Sequence, residues 1–351
     1  MSWSSLDLRE DVKTLQELYD EETDTSLKEY ILKAKNSVIK TIAELELEDI
    51  NYKYASNVWT LIKDVPSFQM YYPAIKEFAS TILSNPRGVK NARLPGRKNN
   101  LLSIEEICDL VYDYYKSMPK SLANRFERVQ KDGRTRITLD PEVEAHEGIT
   151  YFIPILDKRY VNIGTKGDTR EVLNSLTHEF GHIITANIND GRYICDDFFT
   201  ETEAIFFELL GLDYYYNKTG DKFYLKRLNY KIDYYFEQAM EMIKYEKVYN
   251  KMFDKMTDGH SAQFICDLYL ENEGFRPKKL NIETDDIMRY LFGYICAVEL
   301  FETYKEDPEL AIDLYNKIIK RKKNQTEYDS IYENITPVKS LNKHINRLGR
   351  M

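Results

Sequence analysis

Between Leu6 and Leu83 apolar residues return every three or four positions, as at Leu15, Leu18 and Tyr19 and again at Ile31, Val38, Ile39 and Ile42. That period is the signature of helices burying one face, so the stretch predicts a run of helices. The pattern stops at Asn85. From there to Asn100 the chain reads NPRGVKNARLPGRKNN, with two prolines, two glycines and five basic residues and no periodicity, which predicts a long surface loop. It is the expected boundary between an N-terminal helical region, 1–84, and a second unit, 101–351, with 85–100 as a basic linker.

Helical spacing resumes beyond the loop. Ser103 and Glu106 form a capping-box pair opening a helix to about Tyr115, and a further segment covers Ser121 to about Gln130. The period then changes. ITYFIPILDKRYVNI, Ile149 to Ile163, is rich in β-branched and aromatic residues, with Asp157-Lys158-Arg159 between two short runs, and predicts a hairpin. Asp168 and Glu171 repeat the capping-box spacing at the start of a helix that ends near Asp190-Gly191. From about Phe198 to Tyr332 the chain again predicts helices. The expected fold class is mainly α, with one small sheet next to the helix that begins at Asp168.

Composition adds limits. A chain of 351 residues, 43% hydrophobic, can bury one large core or two modest ones. Its net charge of -9, with acids and bases intermixed, argues against nucleic acid as a partner. The start, MSWSSLDLREDV, carries acids where a signal peptide needs positive charge, and no stretch reaches membrane-spanning length. A cytoplasmic location without membrane association is expected, and oligomeric state is left open. Cys108, Cys195, Cys266 and Cys296 are widely spaced and form no CxxC pair, so they are expected to be reduced structural thiols.

The chemistry concentrates in His178-Glu179-Phe180-Gly181-His182. On a helix the two histidines stand one turn apart on one face, close enough for both imidazoles to bind a single Zn²⁺ at about 2.0–2.1 Å. Glu179 lies beside the first of them, placed as general base to take the proton of the attacking water. The flanking Val172, Leu173, Leu176, Phe180, Ile183 and Ile184 bury this helix, and burying two histidines and a glutamate without a metal would leave costly unpaired polar groups. A catalytic zinc takes a third protein ligand. The segment FFTETEAIFFELLGL offers Glu201, Glu203 and Glu208: Glu201 and Glu208 share a helix face, so one can bind the metal while the other orients a ligand. Glu203 lies on a different face and is expected to be a solvated carboxylate at the helix start.

With HEFGH, the downstream FTETEAIFFE and the later YLFGYICA, the chain resembles the thimet oligopeptidase and oligoendopeptidase F family of zinc peptidases over about residues 101–320. The resemblance implies a zincin-type (gluzincin) catalytic domain holding one Zn²⁺ through His178, His182 and Glu201, with Glu208 behind the ligands. It places Tyr160, Val161, Asn162 and Ile163 as the strand beside the cleft, against which a peptide substrate would pair. It also makes Tyr290 or Tyr294 the donor to the developing oxyanion. The chain departs from the family at Thr185, where a further histidine often stands, and at AHEGITYF, with His146 and Gly148 in place of the usual Gly-rich segment. His260 has no counterpart and is expected to be structural. The activity implied is hydrolysis of internal bonds in short peptides, with a protease for one folded protein, or a peptide-binding module that has lost turnover, as the alternatives.

Overall fold

The structure is a computed structural model, and it describes residues 5–23, 27–28, 31, 34–35, 71–85, 102–153, 158–188, 201–244, 246, 284–320 and 327–349. Helices α1 (Ser5–Glu21), α2 (residues 71–84), α3 (Ile104–Ser117) and α4 (Lys120–Lys131) precede strands β1 (Thr135–Glu144), β2 (Gly148–Ile153) and β3 (Lys158–Lys166). Helices α5 (Thr169–Ile188), α6 (Glu201–Thr219), α7 (Lys222–Lys244), α8 (Thr284–Glu306), α9 (Pro308–Ile319), α10 (Glu327–Asn334) and α11 (Leu341–Leu348) follow. The protein is therefore mainly helical with one small sheet, as the periodicity implies. The expected loop beyond Asn85, the helical spacing from Val38 to Ile42, Cys195, Cys266 and His260 lie outside the described residues.

Local chemistry explains the starts of two helices. Ser103 caps α3 with both arms of the capping box closed: its side chain accepts from the Glu106 amide, and the Glu106 carboxylate accepts from the Ser103 amide. At α5 the expected box does not close. The Asp168 carboxylate accepts instead from the Arg170 amide and guanidinium, while Glu171 turns away to pair with Arg227 at 3.3 Å. Arg170 also reaches Asp221 at 3.0 Å, so the start of α5 is bound to the start of α7.

α6 lies at the centre of the core. From Glu201 to Asp213 every residue is buried, which marks a helix enclosed on all sides. α5 packs along it, and Phe180, Ile183 and Ile184 enter the same cluster as Phe206, Phe207 and Leu209. α3 and α4 close over α5: the Tyr115 hydroxyl donates to the Thr177 carbonyl at 2.7 Å, and Phe126 meets Phe180 edge-on. α8 crosses α6 from the other side. α2 packs Tyr71 against Phe292 and Phe78 against Tyr294, so this helix shares the main core instead of standing with a separate N-terminal unit. The boundary expected at residue 85 does not separate two cores there, because the apolar face of α2 is spent on α8.

The sheet has strand order β1-β3-β2, with β1 parallel and β2 antiparallel to β3. The hairpin is present, although Lys158 and Arg159 belong to β3 rather than to the turn, and β1 is an addition that the sequence reading missed. Pro141 sits inside β1, where an edge position and a break in register between Asp140 and Glu144 accommodate it. β3 is central. The Gly164 amide bonds the Glu147 carbonyl and the Arg159 amide bonds the Arg134 carbonyl, so even-numbered residues of β3 bond toward β2 and odd-numbered ones toward β1. Tyr160, Val161, Asn162 and Ile163 therefore have both edges occupied, and no added strand can pair with them. Among the described residues, the strand with an unpaired edge next to α5 is β2.

Candidate metal centre

α5 presents His178 and His182 on one face, their rings 5.0 Å apart between centroids and nearly perpendicular. The first residue of α6, Glu201, comes up opposite them. Its Oε2 lies 3.1 Å from His178 Nε2 and 3.6 Å from His182 Nε2, and the three donor atoms all fall within 4.8 Å of one another. Glu201 Oε2 is buried, and among the described residues no hydrogen bond of good geometry reaches it. Two imidazole nitrogens and a carboxylate oxygen converging in this way could hold a metal ion.

α8 makes that approach feasible. A Cβ on Gly293 would stand 2.9 Å from Glu201 Cβ and 3.1 Å from the Thr202 backbone nitrogen, so only glycine lets α8 lie this close to the first turn of α6. The glycine of the FGY segment thus positions Glu201 from behind.

A second layer orients His178. Glu208, two turns after Glu201, brings Oε2 to 3.4 Å from His178 Nδ1. Its other oxygen is held by Asn174 Nδ2 at 2.5 Å and Lys231 Nζ at 2.7 Å, from α5 and α7. A carboxylate only accepts, so His178 Nδ1 carries hydrogen and Nε2 is left to face Glu201 and a metal. Burial by itself would lower the His178 pKa, but the Glu201 and Glu208 carboxylates set against its two ring nitrogens and the nearby Glu179 charge outweigh it and hold it up at about 10 in the metal-free protein. Burial pushes the Glu201 and Glu208 carboxyls up, yet the histidines, and Lys231 for Glu208, pull both well below the usual range. Burial lowers the Lys231 pKa, with Glu208 opposing.

Glu179 is buried on the sheet side of the same helix turn. Thr150 of β2 donates its hydroxyl to Glu179 Oε2 at 2.5 Å, and a Cβ on Gly148 would fall 2.9 Å from Oε1. Neither contact follows from the sequence, though Gly148 was singled out as a departure.

The two tyrosines of α8 separate. Tyr290 is partly exposed, with its ring stacked 6.3 Å from that of His178. Tyr294 is fully buried against Tyr235, ring centroids 4.3 Å apart, and its hydroxyl has no hydrogen-bond partner among the described residues. It belongs to the core and not to the cleft. Glu203 is buried, contrary to the expected solvated carboxylate, because α6 is enclosed on all sides. Thr185 bonds the Tyr315 hydroxyl at 2.7 Å within the core, and His146 is exposed beside Glu147. Cys108 and Cys296 form no disulfide among the described residues.

No family model matches the chain, and no curated protein resembles it in sequence. Solved structures resemble it in fold. One, named as a peptidase from Chlamydophila abortus, superposes with a TM-score of 0.54 over 86% of this chain and 55% of that one, at 13% identity. Another, named as an oligoendopeptidase F, gives a TM-score of 0.50 over 97% of this chain and 70% of the other, also at 13% identity. The fold is that of an oligoendopeptidase F. The chain spans about half the length of the first of these structures, 55%, and 70% of the second, and the likeness to both is one of architecture. Among the described residues no helix is long and apolar enough to cross a membrane.

Proposed function

We propose that this chain is a zinc-dependent peptidase that hydrolyses internal bonds of short peptides. The observation that carries the reading is the convergence of His178 Nε2, His182 Nε2 and Glu201 Oε2 beside the Glu179 carboxylate, on a fold shared with an oligoendopeptidase F.

His178, His182 and Glu201 would hold one Zn²⁺, which supplies Lewis acidity toward the scissile carbonyl and lowers the pKa of water. Glu208, braced by Asn174 and Lys231, keeps the His178 ring turned toward the ion. Glu179 accepts the proton of the attacking water and delivers it to the amide nitrogen as the C–N bond breaks. The Tyr290 hydroxyl faces the charge that develops on the carbonyl oxygen, a role worth several kcal/mol for a well-placed donor. The substrate main chain adds to the outer edge of β2, replacing the Tyr160 to Ile163 strand as the docking edge. By the alternation of the sheet, residues 147, 149 and 151 bond to β3, which leaves the backbone groups of Gly148 and Thr150 pointing outward.

The test is digestion of a mixed peptide library by wild-type protein and by Glu179→Gln, each with and without a chelator, read by mass spectrometry. Internal cleavage that is lost with the chelator and with Glu179→Gln, while zinc content stays at one ion, supports the reading. Full turnover by Glu179→Gln would end it.

A further inference from the structure

We propose that Thr150 is a positioning residue that couples peptide docking to proton transfer, its backbone taking the substrate main chain while its hydroxyl holds the Glu179 carboxylate. The inference rests on the peptidase reading and adds to it a residue for which the catalytic motif has no place.

The geometry has two parts. Side chains along a strand alternate between faces, while the backbone groups alternate between its two edges. β2 is in register with β3 such that Gly148 pairs with Ile163 and Thr150 with Val161, both buried residues facing α5. Gly148 and Thr150 thus turn their side-chain positions toward α5 and their N–H and C=O groups toward the outer edge of β2, which is unpaired among the described residues. Both then meet one group. The Thr150 hydroxyl donates to Glu179 Oε2 at 2.5 Å, and the missing side chain of Gly148 leaves the space in which Oε1 lies, since a Cβ there would be 2.9 Å away.

The residues that would bond a docked peptide through their backbone are therefore the residues that confine the base. A short hydrogen bond to a charged acceptor is among the stronger ones in a protein, and it restricts the carboxylate to one rotamer. A shift of β2 as a peptide zips onto its edge reaches Glu179 directly through Thr150. Effective proton transfer is steep in position, with misplacement by about 1 Å costing on the order of a hundredfold.

The experiment compares wild type, Thr150→Val, Thr150→Ala, Thr150→Ser and Glu179→Gln on one internally quenched peptide cleaved by the wild type, with zinc content and circular dichroism measured on each. Valine keeps the shape and suits a strand, so the outward backbone groups stay in place. The expected result is a kcat lowered about ten- to hundredfold in the valine and alanine variants, with KM within about twofold, full zinc content, and recovery toward wild type in the serine variant. A merely structural threonine would move KM, zinc content and the folded signal together, and serine would give no rescue. Thr150→Val at wild-type kcat, or Thr150→Ser as slow as valine, overturns the proposal and leaves the peptidase reading standing. A wild type that binds zinc and cleaves no peptide overturns both.

Discussion

Gly293→Ala tests how the metal ligands are brought together. A Cβ at this position falls 2.9 Å from Glu201 Cβ and 3.1 Å from both the Glu201 carbonyl carbon and the Thr202 backbone nitrogen. Carbon atoms in contact settle at about 3.5–4.0 Å, so α8 and the first turn of α6 must part by about 0.6 Å or more. Two of the three atoms met are backbone and cannot rotate away. Ligand distances at a metal site tolerate roughly 0.2 Å, so the shift exceeds what the site absorbs. It moves Glu201 while leaving His178 and His182, which α5 carries, in place. The expected outcome is a zinc affinity lowered about ten- to hundredfold, as when a supporting contact is lost, together with about 1–3 kcal/mol of overpacking. Chelator-competition titration measures the first. Thermal unfolding of metal-free and zinc-loaded protein separates it from the second, because overpacking lowers the metal-free Tm, whereas weaker binding shrinks the zinc-induced rise in Tm, by the equivalent of about 1.4–2.7 kcal/mol. A variant binding zinc as tightly as wild type would refute the claim that Gly293 places Glu201.

Other outcomes follow from the same geometry. Glu208→Gln keeps the shape but weakens the hold on His178 Nδ1, and it should cost about tenfold or more in zinc affinity by the same titration. Tyr290→Phe should lower kcat with zinc content unchanged, whereas Tyr294→Phe removes a buried hydroxyl without a partner among the described residues and should leave both kcat and Tm near wild type. The metal-free protein should also be pH-sensitive at the site. His178 has its pKa raised to about 10, above the ordinary value near 6.5, so its contribution to stability is complete below pH of about 6.5 and is lost as pH rises through about 10. On the proposed reading, zinc binding would displace that proton. Unfolding scans of chelator-treated protein at pH 6.5 and 9.5 should show the Tm falling, and calorimetry in two buffers at neutral pH should show proton release on zinc addition; a binding reaction without proton release would contradict the assignment.

Much of the site was legible because it is local. His178, Glu179 and His182 lie within one turn and a third of a helix, and helical geometry alone puts the two histidines on one face. Glu201 and Glu208 share a face for the same reason, although choosing Glu201 as the ligand rested on family resemblance. Asn174 was within reach of the same argument, one turn before His178. Lys231 and Thr150 carried no such signal, since their partners stand on other elements.

Periodicity in the sequence by itself determined that α3, α4, α5 and α6 are helices, that β2 and β3 form a hairpin, and that one helix carries two histidines on one face with a glutamate beside the first. Those properties depend on neighbours within a few residues along the chain. Tertiary structure alone decided that β1 takes the free edge of β3 and moves the open edge to β2, that Tyr290 faces the histidines while Tyr294 is sealed in the core, and that Glu203 is buried. Each of these depends on which surfaces pack against each other, and a residue's spacing along its own helix or strand carries no information about what will cover it.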